Sequence, residues 1–130
     1  MASGPGTSKA CDALDMWLGG GAVVRLWTVA PDFDGTGGTE SVPAGGAPTA
    51  AFQPAVAGTG GQIAKATSTG AVTFAGVPDD SSDIVAISFH DPSDDDLIVV
   101  DDSWTAPGAG WSSGDSPQLA YVSVPFVPVS

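Results

Sequence analysis

An all-β fold, an antiparallel β-sandwich or barrel-like domain with a short N-terminal helix, is what this sequence predicts, on three observations. Apolar runs are short and are cut by glycine and proline, 18 and 11 of 130 residues, with no triplet period, which means many turns and few long elements. Residues 83–91 alternate in the manner of a strand. Only residues 8–18 carry a helical spacing of apolar side chains. The expected organisation is a flexible lead-in over 1–7 and a single sandwich domain over 8–130 that includes the helix 8–18. A chain of this length can bury a modest core of its own.

Each element has its own reason. Ser8 is the expected helix cap, because a hydroxyl there can accept from an unpaired backbone N–H. Ala10, Ala13, Leu14, Trp17 and Leu18 fall on one helical face, and Gly19-Gly20-Gly21 ends it with a left-handed residue. Three turns of helix are too short to stand alone in water, so this face must be covered. Residues 22–29 form the first strand, closed by Pro31, which cannot donate to a ladder. Residues 32–61 read as a long loop of the kind that is functional or ordered by a partner, with a weak strand over 49–56 around Phe52. Residues 62–66 and 71–75 read as a hairpin about Ser68-Thr69-Gly70. In 83–91, Val85, Ile87 and Phe89 share one face and Ala86, Ser88 and His90 the other. Asp91-Pro92-Ser93-Asp94 is a turn, and 97–103 is the partner strand. Residues 106–110 and 112–115 are loops. Residues 119–129 read as a long last strand at a sheet edge, since neither Pro125 nor Pro128 can donate a ladder bond.

Charge narrows the function classes. Fifteen acidic residues face three basic ones, Lys9, Arg25 and Lys65, for a net charge of −12. Nucleic-acid binding needs cations that displace counterions from phosphates, and this chain lacks them. Anionic membrane surfaces are repelled by the same charge. A basic partner is favoured. Apolar residues make up 42 % of the chain and mean hydropathy is +0.18, so this is no disordered acidic tail. The single cysteine, Cys11, excludes an internal disulfide. It is either a small buried hydrophobe or a reactive thiol, and its helical setting without a nearby histidine favours the first. The first residues lack the basic and apolar regions of a signal peptide, and no apolar run reaches the ~20 residues of a membrane span. A chain made in a cytoplasm and soluble there is expected.

Chemical constellations are weak. Asp79-Asp80, Asp91, Asp94-Asp95-Asp96 and Asp101-Asp102 could meet around calcium, but no EF-hand spacing is present. Solvated turns that keep strand edges soluble are the favoured alternative. Zinc needs more His or Cys ligands than exist here. Ser88, His90 and Asp91 could be written as a relay, yet near neighbours in a strand are expected to face opposite ways, leaving His90 at a surface or hairpin end. Gly35-Thr36-Gly37-Gly38 lacks the Lys-Ser/Thr of a phosphate cradle. No catalytic residue, cofactor or metal ligand is therefore expected. Of four tryptophans, Trp27 is expected in the core. Trp104 and Trp111 lie in or beside loops and are either interface anchors or covers over the sandwich ends.

One resemblance spans most of the chain. After the short amphipathic helix comes Thr28-Val29-Ala30-Pro31, then the loop Gly35-Thr36-Gly37-Gly38-Thr39-Glu40, later Gly70-Ala71-Val72-Thr73-Phe74, then Ile84-Val85-Ala86-Ile87-Ser88-Phe89-His90-Asp91, and finally Ser113-Gly114-Asp115. In this order they resemble small β-sandwich virion proteins of tailed bacteriophages, often labelled tail-fibre proteins, with relatives that look like head decoration proteins of actinobacterial phages. Val42–Pro48 and Pro78–Ser82 depart from that pattern: a tyrosine and an arginine are missing from the first, a tryptophan from the second. The resemblance implies a non-enzymatic virion protein, made in the host cytoplasm, that binds the major capsid protein on the capsid exterior as a homo-oligomer, with a trimer favoured. A tail or fibre component is the alternative, and a calcium-dependent or carbohydrate-binding sandwich module the second. The side chains expected at a capsid or subunit interface are Trp17, Leu18, Trp104 and Trp111.

Overall fold

The computed structural model describes residues 6–106 and 110–127. One helix, α1 (Thr7–Leu18), leads into ten strands: β1 (Ala22–Val29), β2 (Thr39–Ser41), β3 (Thr49–Ala50), β4 (Val56–Ala57), β5 (Ala64–Thr67), β6 (Val72–Thr73), β7 (Ala86–His90), β8 (Leu97–Asp101), β9 (Gln118–Leu119) and β10 (Ser123–Phe126). A 3-10 turn covers Ser81–Asp83. All strand pairs are antiparallel. The largest sheet runs β2-β1-β7-β8 with β3 also on β1; a second runs β10-β5-β4, and β6 pairs with β9. This is the small antiparallel β-sandwich-like architecture with a short N-terminal helix that the sequence predicts.

The helix forms because Ala10, Leu14 and Leu18 repeat every four residues and are buried. Their stripe packs on β5, where Ala64 and Ala66 offer the small side chains that close approach requires. The expected Ser8 cap is corrected. Gly6 holds the extended cap conformation, with no side-chain cap bond, and Ser8 lies inside the first turn. A residue with helical backbone angles cannot serve as the cap. The left-handed glycine also sits later than the helix end. Gly19 is right-handed, whereas Gly21 has φ +81° and donates its N–H to the Leu18 carbonyl at 2.9 Å. A Cβ at Gly21 would lie 2.7 Å from the Ala50 oxygen, so only glycine fits between helix and sheet.

β1 is the centre of the large sheet. It pairs with β7 over Val23–Trp27, with β2 near its C-terminal end and with β3 at its start. Since β7 fills one edge, β2 and β3 share the other. The expected loop over 32–61 thus holds three short strands, two of them recruited by β1. Gly38 is required at the start of this return: at φ +79° its Cβ would stand 2.8 Å from the Val29 oxygen and the Pro31 nitrogen.

Two pairings differ from expectation. Residues 62–66 and 71–75 do not form a hairpin. β5 pairs with β4 and β10, and β6 with β9. The physical reason is Ser68. Its N–H donates to the Val122 carbonyl at 2.8 Å, and its Oγ accepts the Val122 N–H at 3.0 Å. These bonds hand the chain from one sheet to the next where a turn was expected. The local hairpin is instead β4–β5, with Gly58 N–H donating to Ile63 O. The long terminal strand is likewise two strands, β9 and β10, broken at the same Val122. Pro125 does lie in an edge strand of its sheet. Pro128, the end of that expected strand and residues 107–109 of the expected loop lie outside the described residues.

The β7–β8 hairpin forms as expected. β7 begins at Ala86 because the 3-10 turn precedes it, which leaves Val85 half exposed, and all five of its residues are buried. The core joins α1, β1, β5, β6, β7, β9 and β10 around Leu14, Leu26, Phe74 and Phe89. Phe52 meets Phe89 edge-on at 6.0 Å.

Candidate functional site

Register places one polar cluster on the outer face of the large sheet. Leu26 pairs with Ile87 and Val24 with Phe89, and these four are fully buried in the core. Paired residues share a face, so Arg25 with Ser88, and Val23 with His90, lie on the opposite one. There the indole N–H of Trp27 donates to Ser88 Oγ at 2.7 Å. Ser88 Oγ lies 2.7 Å from His90 Nε2, and His90 Nδ1 lies 3.1 Å from the Asp95 carbonyl.

Donor accounting assigns the protons. An indole N–H only donates and a carbonyl only accepts. With the neutral imidazole, Ser88 accepts from Trp27 and donates to Nε2, and His90 carries its proton on Nδ1, donated to Asp95 O. Asp95 adopts φ +61°, the one positive φ outside glycine among the described residues, at a cost of roughly 1–2 kcal/mol. That conformation lets it serve two partners, because its carboxylate also accepts Arg25 Nη2 at 3.0 Å. Arg25 Nη1 bonds Glu40 Oε2 at 3.0 Å. Burial works against the Arg25 charge, but the hydrogen bonds to Glu40 and Asp95 and their charges outweigh it and raise its pKa.

Ser88 and His90 lie on the one face where the alternation of 83–91 puts them. Residues two apart in a strand share a face, and these two bond. Asp91 is not their partner; it accepts the Ser93 N–H and hydroxyl at 2.8 and 2.7 Å, which hold its carboxyl below the usual value, the hydroxyl most. His90 does end the hairpin strand, but it is only 6 % exposed. Ser88 is fully buried, so no substrate reaches its Oγ. The cluster fastens the turn after β7 to β1 and β2.

The acidic turns spend their carboxylates on backbone. Asp34 accepts from Thr36, Asp94 from Asp96 N–H, Asp101 from Ser103, Asp80 from Ser113 N–H and Asp115 from Ser112 N–H. Among the described residues no three His, Cys, Asp or Glu side chains gather where they could hold a metal ion. No helix among them is long and apolar enough to cross a membrane.

The four side chains expected at an interface part company. Trp17 is 40 % exposed and stacks on Phe126, ring centres 5.8 Å apart and planes 10° from parallel. Met16 and Val127, next to this pair in the chain, are also exposed. Leu18 is 5 % exposed and belongs to the core. Trp111 is buried, its indole N–H donating to Asp79 O and its backbone N–H to Ser81 Oγ. Trp104 is half buried against the core. Cys11 is partly buried on the helix. Sequence reasoning missed Phe33 and Tyr121, both exposed; the aromatic between two aspartates at 32–34 was the available signal for the first. No protein-family model, curated protein or solved structure matches this chain.

Proposed function

We propose that this chain is a bacteriophage virion protein that decorates the capsid exterior by binding the major capsid protein and stabilising the shell. The observation that carries the reading is the corner where α1 meets β10, with Trp17 stacked on Phe126 beside exposed Met16 and Val127. Aromatic pairs of this kind anchor interfaces. The order of motifs shared with small phage sandwich proteins supports the virion setting. The acidic surface is tolerable on a shell face turned away from the genome.

Decoration stabilises by mass action: what binds the assembled shell and not its parts shifts the equilibrium toward the shell. A typical interface takes ~800 Å² per partner, a modest share of the chain's 6704 Å². That exceeds what one aromatic pair covers, so the contact extends beyond the corner. Shell sites of local symmetry favour a closed homo-oligomer, a trimer above others.

The test is re-addition to heads stripped of this protein. The wild-type chain rebinds and raises the temperature at which heads release DNA. Trp17→Ala folds normally and rebinds about tenfold more weakly or worse. Wild-type protein that binds tails and ignores heads would move the assignment to a tail or fibre component.

A further inference from the structure

We infer that the loop between β1 and β2 is a docking plug, presenting Phe33 to a protein partner with an apolar pocket rimmed by lysine or arginine. Phe33 is 79 % exposed, the highest value among the large apolar side chains described. It stands between Asp32 and Asp34. Exposed aromatics are the side chains that carry binding energy when a pocket receives them.

The backbone beneath Phe33 is already fixed. Asp32 N–H donates to Thr36 O at 2.8 Å, and Gly35 N–H to Asp32 O at 2.9 Å. Asp34 Oδ1 accepts the Thr36 N–H at 3.0 Å and its hydroxyl at 2.6 Å. Little loop entropy is left to lose on docking. The Thr36 hydroxyl, then its N–H, also hold the Asp34 carboxyl below the usual value, so the flank stays charged. A Cβ at Gly35 would lie 3.6 Å from Leu97 Cβ, which puts the loop beside the turn carrying Asp94 and Asp96.

Charge selects the occupant. Arg25, the nearest cation in the sheet, is taken by Glu40 and Asp95, while Lys9 and Lys65 lie on α1 and β5. The neighbourhood of Phe33 is therefore negative. A second copy of a chain with net charge −12 is repelled there, and so is an anionic bilayer. A basic rim around an apolar pocket matches both the ring and its flanks. The inference concerns this loop whether or not the assembly is a phage head.

The probe is a synthetic peptide of alternating lysine and leucine, titrated into the isotope-labelled full chain and followed by amide NMR shifts, with a glutamate-leucine peptide as control. The expected result is saturable shifts confined to residues 32–36 and 94–97 with the lysine peptide alone. Phe33→Ala, which leaves melting unchanged because the ring is exposed, weakens binding at least about tenfold, and Tyr121→Ala, at an exposed ring away from the loop, binds like wild type. Absence of saturable shifts with the lysine peptide, shifts spread over all acidic turns, or a Phe33→Ala chain that binds like wild type would overturn the inference.

Discussion

Ser88 shows how much can hang on one hydroxyl. It accepts from Trp27 and donates to His90 in a place closed to water. Ser88→Ala removes both bonds at once and leaves Trp27 Nε1 and His90 Nε2 buried and unpaired, each at a cost of about 1–3 kcal/mol. The variant is expected to lose roughly 2–6 kcal/mol in denaturant unfolding; an unchanged midpoint would contradict these bonds. Nitrogen NMR of the wild type should find the His90 proton on Nδ1. Asp91 makes a smaller, pH-dependent contribution. Its folded pKa is lowered, so the unfolded chain takes up the proton more readily. The stabilisation is complete above the ordinary carboxylate range and is lost as pH falls through the lower folded value. Ser93→Ala should return the Asp91 titration toward the ordinary value and remove its share of the acid limb of the stability curve. The Ser88–His90 bond was legible in principle, since residues two apart share a face. The Trp27 donor was not, because it requires knowing that β1 lies beside a strand 61 residues away.

Elements were legible where a local signal and a long-range need agreed. β1 ends where Pro31 forbids continuation, and its expected span matches Ala22–Val29. The β7–β8 hairpin follows from an aspartate-proline turn between two apolar runs. β2 was not legible, and the weak strand expected over 49–56 proves to be two separate pieces, β3 and β4, with an isolated Phe52–Ser68 bridge between them, because strands of two or three residues carry no alternation and exist through their neighbours. The mistaken hairpin over 62–75 has the same origin: a turn signal at Ser68 was real, but its bonds to Val122 send the chain elsewhere. The α1–β1 junction offers a paired test. Gly21→Ala meets both a positive φ and the Ala50 oxygen at 2.7 Å, and is expected to cost about 1–3 kcal/mol. Gly20→Ala meets nothing within 4 Å and should leave the melting temperature unchanged or slightly higher. Equal effects of the two would contradict the junction described.

At the scale of the whole molecule, two features combine. The exposed aromatics among the described residues stand at separate places: Trp17, stacked on half-buried Phe126, at one corner, Phe33 on the β1–β2 loop, and Tyr121 just before β10. The remaining surface is strongly acidic. Sandwiches host many functions, so the fold by itself does not favour decoration, which is proposed on the exposed Trp17 corner together with the sequence resemblance. Trp17 was legible from helical spacing, although the structure puts it at the margin of the buried stripe. Leu18 and Trp111 show the limit of such reading, since an apolar residue suited to an interface is equally suited to a core, and only packing separates the two. The most direct measurement is the copy number of this chain on purified heads, by quantitative protein analysis of particles separated from tails. A decoration protein is expected at a fixed whole-number ratio to the major capsid protein. A few copies per particle, or none on heads, would contradict decoration.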